Sequence, residues 1–201
     1  MTWPLGAVAL VLLGYLLGAL PFGLILGRLT RGIDIRDFGS HRTGATNALR
    51  TLGARTAAVV FLLDVAKGVA AVLLAYALYR AGPAGSPPWV AAAAGFAAIV
   101  GHIWSIFIRF TGGRGVATST GGLGAIAPLA LLVLAPIVVF IIWRWRYVSA
   151  GSIAGSLLAP VIVAVLAIAT TAQRIWHVHR LSAVQGRRTG DDTTRENVTR
   201  G

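Results

Sequence analysis

The chain contains no cysteine, which rules out disulfides, a thiol nucleophile and a cysteine-ligated metal, and leaves the redox state of its compartment unwritten in the sequence. Acidic residues are nearly as scarce. There are six in 201, and only Asp34, Asp37 and Asp64 precede the C-terminal stretch, so chemistry run by paired carboxylates has little to draw on. The GxSxG elbow, the HExxH helix and the GxxxxGK loop are all missing, and with them the serine hydrolase, zincin and P-loop classes. None of the four histidines, at 41, 102, 177 and 179, is followed by the aspartate of a histidine-aspartate acyltransferase signature. His177 and His179 stand two apart, so on a helix they face different ways and make a poor metal site.

What is abundant is apolar. Hydrophobic residues fill 56% of the chain and charged ones only 12%, too few to clothe a soluble core of this size, so the composition is that of an integral membrane protein. The net charge of +12 would suit nucleic acid, but the eighteen Lys and Arg residues crowd beside apolar runs, where cytoplasmic flanks carry them. No nucleic-acid partner follows, and no oligomeric state is implied.

Trp3 to Gly27 has no charged residue, and at about 1.5 Å per residue this run reaches across a hydrocarbon core of roughly 30 Å with some tilt. Pro21 predicts a kink near its end. The run lacks a signal peptide's basic start and cleavage site, and Arg28 follows it, which puts the N-terminus outside. Arginines 28, 31, 36, 42, 50 and 55 then mark a cytoplasmic segment. Thr56 to Tyr79 is apolar except for Asp64 and Lys67, neighbours on one helical face and either a structural pair or a ligand-contacting one. Residues 81–88, AGPAGSPP, read as an external turn, and Trp89 to Phe110 crosses back carrying His102. Val116 to Ile142 would measure about 40 Å as one helix, too long for one crossing without tilt. Splitting it near Pro128, and the next run, Val148 to Ala172, near Pro160, puts Arg144 and Arg146 inside and gives seven short spans. Five long spans are the alternative. Either way the expected fold is an all-α polytopic membrane helix bundle, a membrane domain over 1–188 followed by a polar, disordered tail over 189–201, with the C-terminus in the cytoplasm.

Two polar, glycine-punctuated islands interrupt the apolar runs. In GSHRTGATNALR, Gly39 to Arg50, glycines free the backbone, Ser40, Thr43, Thr46 and Asn47 offer hydrogen bonds, and Arg42 and Arg50 supply forked positive charge. With Thr46 or Asn47 capping the next helix, the helix amides would face the same anion. In TGGRGVAT, Thr111 to Thr118, Gly112, Gly113 and Gly115 let backbone approach a ligand around Arg114. Both invite phosphate. A basic loop with an ordinary N-cap, and a glycine-rich turn between helices, fit the same residues.

The patterns GSxxxGATNxxR, DxxKG and GHxWxxFxxFxGGxGVAT, in this order and covering Gly39 to Thr118, resemble the PlsY family of bacterial glycerol-3-phosphate acyltransferases that use acyl phosphate. The similarity extends weakly into SAGSIAGSLLAP, Ser149 to Pro160. The resemblance implies a small seven-helix enzyme of the bacterial inner membrane with a cytoplasm-facing site. Its reaction would pass an acyl group from acyl phosphate to the 1-hydroxyl of glycerol 3-phosphate, yielding lysophosphatidic acid with no metal or other cofactor. By the same resemblance Ser40 and Arg50 hold glycerol 3-phosphate, Thr46 and Asn47 support that loop, and Lys67 and His102 join the catalytic set. Gly112, Gly113, Arg114, Gly115, Ser149 and His177 fall at phosphate-binding positions, and Arg42 is expected to join them on the strength of its charge in the first loop. Departures from the family pattern are His41 and Arg42 for a Gly-Asn pair, Thr111 and Arg114 for lysines, and His177 for an asparagine; Arg42 is expected to restore the charge lost at Thr111. These departures leave a second class open: a divergent homologue that binds phosphorylated lipid or metabolite, or uses another acceptor. A transporter is disfavoured, since the polar residues cluster at one face and form no path across.

Overall fold

The computed structural model describes the backbone over residues 3–80 and 89–199 and the side chains over 5–78 and 89–177. All regular structure there is helical: α1 Trp3–Ala19, α2 Phe22–Arg31, α3 Ala45–Thr51, α4 Ala54–Arg80, α5 Trp89–Ile103, α6 Val116–Ile126, α7 Pro128–Trp145 and α8 Val148–Thr199, with short 3-10 turns at Ile35–Asp37 and Ile106–Ile108. The turn expected over 81–88 lies outside the described residues. Five stretches are long and apolar enough to cross a membrane: Leu5–Arg31, Ala54–Leu78, Trp89–Ile108, Pro128–Trp145 and Val148–His177. The chain forms the all-α, multi-pass bundle that its hydropathy predicts.

The prolines divide in behaviour. Pro21 separates α1 from α2, and Pro128 opens α7 directly after α6, as the seven-helix reading requires. Pro160 does not split the last run: α8 passes through it unbroken, as α7 passes through Pro136. A proline removes one amide donor but leaves the rest of the ladder intact, and in hydrocarbon a full break would strand many more groups than one. The break at Pro21 is affordable because neighbours take the freed carbonyls. Lys67 Nζ donates to Leu20 O at 2.9 Å, and the buried Ser105 Oγ donates to Ala19 O at 2.5 Å.

Two units are distinguished, Met1–Gly155 and Ser156–Gly201. In the second, α8 exposes Leu157, Val161, Val165 and Ile168. In the first, α1 shows the packing logic: Leu5, Val8, Leu12 and Leu16 point outward, while Ala7, Gly14 and Gly18 face inward. Lipid tails are as apolar as leucine, so such helices gain little by burying leucine and associate through close backbone approach instead. Side chains at Gly14 and Gly18 would overlap the carbonyls of Ala94 and Ala98 on α5, and one at Gly101 the carbonyl of Tyr15. Between α4 and α6, Gly68 lies against Thr118 O and Gly121 against Val65 O. The contact fixes α6, and with it the second island, against α4.

Gly18→Ala and Gly121→Ala should therefore each destabilise the protein by about 1–3 kcal/mol, the usual penalty for overpacking. Gly122→Ala, whose new methyl meets nothing within 4 Å, should be neutral or stabilising. Thermal unfolding in detergent separates the two groups; equal effects at Gly121 and Gly122 would contradict the packing.

Candidate active site

The two islands meet. A cavity of about 150 Å³ is lined from the first by Ser40, Arg42, Gly44, Ala45, Thr46, Asn47 and Arg50, and from the second by Arg114, Gly115, Val116 and Ala117. Phe61 and Asp64 of α4, His102 of α5, and Val148 and Ser152 of α8 complete it. Three guanidiniums face one carboxylate, and that carboxylate is already paired. Asp64 and Lys67, almost wholly buried, form an ion pair at 2.9 Å. The cavity is thus left cationic, and Gly115, with φ of 81°, turns the chain so that α6 starts there with its positive end.

The first loop is organised by Asn47. Its Oδ1 accepts from Ser40 N at 2.9 Å, and the two hydrogens of its Nδ2 are shared among three carbonyls, Ile35 O at 2.9 Å, Phe38 O at 3.0 Å and Arg42 O at 2.8 Å. The amide is saturated by backbone, so Asn47 shapes the wall of the cavity and holds Ser40 and Arg42 in place. Neither Thr46 nor Asn47 caps α3, which corrects the expectation: the helix begins two or three residues earlier, with Gly44 at its N-cap, and Asn47 sits inside its first turn, from where it reaches back over the loop. Gly39, φ 62°, passes so close to Asn47 Oδ1 that a side chain would collide. His41 adopts φ of 55°, a conformation glycine takes freely, and its Nδ1 lies 2.8 Å from Arg36 O.

In the second island Gly113 N donates to His102 O and Gly112 N to Ile103 O, both at 3.0 Å. A side chain on Gly112 would strike the His102 carbonyl, and one on Gly113 the His102 ring. These glycines seat the histidine rather than line the cavity. His102 Nδ1 in turn stands 3.5 Å from Asp64 Oδ1, the oxygen that Lys67 also approaches.

Of the residues singled out from sequence, Ser40, Arg42, Thr46, Asn47, Arg50, His102, Arg114 and Gly115 surround the cavity. Lys67 lies outside the lining, committed to Asp64, to Leu20 O and, at 5.5 Å, to the Phe22 ring. Ser149 is exposed and its neighbour Ser152 lines the wall instead, one turn beyond Val148 on the same face. His177 is exposed and belongs to the second unit. Sequence reasoning had Asp64 only as a partner for Lys67 and missed its place beside His102.

At the rim, Asp34 Oδ1 accepts from Arg36 N at 2.9 Å and from Arg36 Nε at 3.0 Å, and its Oδ2 accepts from Nη2 at 2.6 Å. The Arg36 guanidinium holds the Asp34 carboxyl below its ordinary value. Its ionised form is favoured by folding, so the pairing persists at neutral pH and is lost only as acid carries the pH down through that lowered value.

Asn47→Ala would strand four buried or half-buried backbone groups, and at about 1–3 kcal/mol for each buried group left unpaired the loop over 35–42 should open. Hydrogen exchange of those amides is expected to rise sharply while α4 and α5 stay protected; unchanged exchange would remove Asn47 as the organiser.

Residues 8–185 match the sequence model of the glycerol-3-phosphate acyltransferase family. The chain is 40% identical over 163 residues to the glycerol-3-phosphate acyltransferase of Chlorobaculum tepidum and 39% to that of Chlorobaculum parvum, in each case across 79% of this chain and 70% of the relative. It superimposes on crystal structures of PlsY, an integral membrane glycerol 3-phosphate acyltransferase. With the glycerol 3-phosphate form the TM-score is 0.72 at 36% identity, covering 80% of this chain and 77% of that one. With the lysophosphatidic acid form it is 0.70 at 35%, covering 80% and 76%. The chain belongs to the glycerol-3-phosphate acyltransferase family.

Proposed function

We propose that this protein transfers an acyl group from acyl phosphate to the 1-hydroxyl of glycerol 3-phosphate, releasing phosphate and forming lysophosphatidic acid. The observation that carries the reading is the convergence of Ser40, Arg42, Arg50, Arg114 and His102 on one cavity in a chain of this family. Acyl phosphate is a mixed anhydride and already activated, so no enzyme nucleophile is needed; holding two anions in attack geometry supplies the acceleration.

Ser40, Thr46 and Arg50 hold the acceptor phosphate. Arg42, Arg114, Ser152 and the amides at the start of α6 face the donor phosphate. The 1-hydroxyl oxygen attacks the acyl carbon, the bond from that carbon to the bridging oxygen breaks, and its electron pair leaves with phosphate, where the guanidiniums meet the growing charge. The hydroxyl proton ends on phosphate, either by way of the acceptor's own phosphate or through His102, the protein base at the cavity. Asp64 orients that imidazole through Nδ1. Phe61, Val116 and Val148 supply an apolar side for the donor's chain. Lys67 and Asn47 act from behind, fixing Asp64 and the first loop.

The same reading places the protein in the bacterial inner membrane with the N-terminus outside and the cavity on the cytoplasmic face. Its support is the row of arginines over 28–55 and the position of Arg144 and Arg146 just before Val148, at the end of α8 that lines the cavity.

Protein purified in lipid or detergent and given acyl phosphate with glycerol 3-phosphate should yield lysophosphatidic acid and phosphate in equal amounts. Ser40→Ala and Arg50→Ala should each lower kcat/KM by about 100-fold, the scale of losing a charge-assisted or oriented contact in a closed site. No product where another family member is active would favour the divergent homologue. Arg42→Ala should raise the KM for glycerol 3-phosphate or acyl phosphate about tenfold or more, as expected for a hydrogen bond to a charged group. Unchanged KM values would reject Arg42 as the replacement for the charge absent at Thr111.

A further inference from the structure

Arg36 lies outside the cavity lining, yet its side chain ties the two islands together. Nε and Nη2 grip Asp34 in a two-pronged pair at 3.0 and 2.6 Å. Nη1 reaches across to the second island, donating to Thr111 Oγ1 at 3.0 Å and to Ile108 O at 3.3 Å. Thr111 is set for this role: its hydroxyl donates to Ile108 O at 2.6 Å, which turns a lone pair toward Arg36. At its other end Arg36 offers its own carbonyl to His41 Nδ1 at 2.8 Å, next to Ser40 and Arg42. One residue therefore touches the backbone that carries the acceptor-side groups and the turn that leads into Gly112, Gly113 and Arg114. Threonine at position 111 provides a neutral acceptor; a cation there would repel the guanidinium.

We propose that Asp34, Arg36 and Thr111 form an inter-loop clamp that sets the spacing between the Ser40–Arg50 loop and the Arg114–Gly115 loop. In the reaction proposed above, on which this inference rests, Arg36 is a positioning residue. Only a planar fork can hold Asp34 with two nitrogens and still present a third to Thr111; a lysine ammonium has the charge without that reach. Since an error of about 1 Å in the approach of two reactants can cost on the order of 100-fold in rate, a clamp remote from the reacting atoms acts on turnover.

The test has two readouts. In steady-state assays Arg36→Lys and Thr111→Val should lower kcat at least tenfold while each substrate's KM moves less than threefold, and Thr111→Ser, which keeps the hydroxyl, should restore most of the turnover. An Arg36 that merely attracts anions would show the reverse: raised KM, strong salt dependence and rescue by lysine. The second readout needs no activity. The chain lacks cysteine, so spin labels at Phe38→Cys and Phe107→Cys, both exposed positions, report the distance between the islands directly. The distribution should be narrow with Arg36 and Thr111 in place and should broaden or shift in Arg36→Lys and Thr111→Val. A distribution that does not respond, or a full-rate Arg36→Lys enzyme, overturns the clamp. Inactive wild-type protein with a responsive distribution would instead overturn the acyl-transfer reading and leave the clamp standing.

Discussion

A carboxylate buried inside a membrane span is the constraint on which the rest of the structure turns. A carboxylate in that setting is costly without a cationic partner, and Lys67, one turn on, provides it at 2.9 Å. Each consequence follows from the position of that pair. Lys67 spends its remaining capacity on Leu20 O, so α4 is pinned to the break between α1 and α2. The same Asp64 oxygen stands beside His102, so α4 is also brought against α5 and the glycines that seat the histidine. The carboxylate of an ion pair required by low dielectric thereby becomes the floor of a cationic cavity.

Above that floor the polar loops solve a backbone problem as much as a ligand problem. Loop carbonyls near a membrane need partners from the protein. One asparagine satisfies three of them and one amide, and what remains free to face the cavity is hydroxyl and guanidinium. Close approach of helices does the rest. Gly68 and Gly121 bring α6 against α4, and the start of α6, with Gly115 as its N-cap and Val116 and Ala117 in its first turn, lines the cavity.

Much of this was legible in the sequence, for physical reasons. Polar islands stand out against apolar runs, which is why Ser40, Arg42, Arg50 and Arg114 could be named in advance, whereas His102 was singled out by the family resemblance. Prolines were read less well: Pro21 and Pro128 break helices and Pro160 does not, because the outcome depends on whether neighbours take the freed groups, and those neighbours are distant in the chain. Asn47 reads the same in sequence whether its amide serves a ligand or the loop. The choice between Ser149 and Ser152 rests on the starting phase of α8, set by Arg146 in a left-handed turn just before it. Arg36, among six arginines of one segment, had nothing to distinguish it until Thr111 was found beside it.

The central claim is that hydroxyls, guanidiniums and a seated histidine from two remote segments form one receptacle for phosphate esters. A structure of the protein with glycerol 3-phosphate bound tests it most directly. The account predicts the phosphate within hydrogen-bond distance, about 3 Å, of Ser40 Oγ and the Arg50 guanidinium, with the 1-hydroxyl turned toward His102 and Arg114. A phosphate bound elsewhere, with Ser40 and Arg50 left uncontacted, would contradict it.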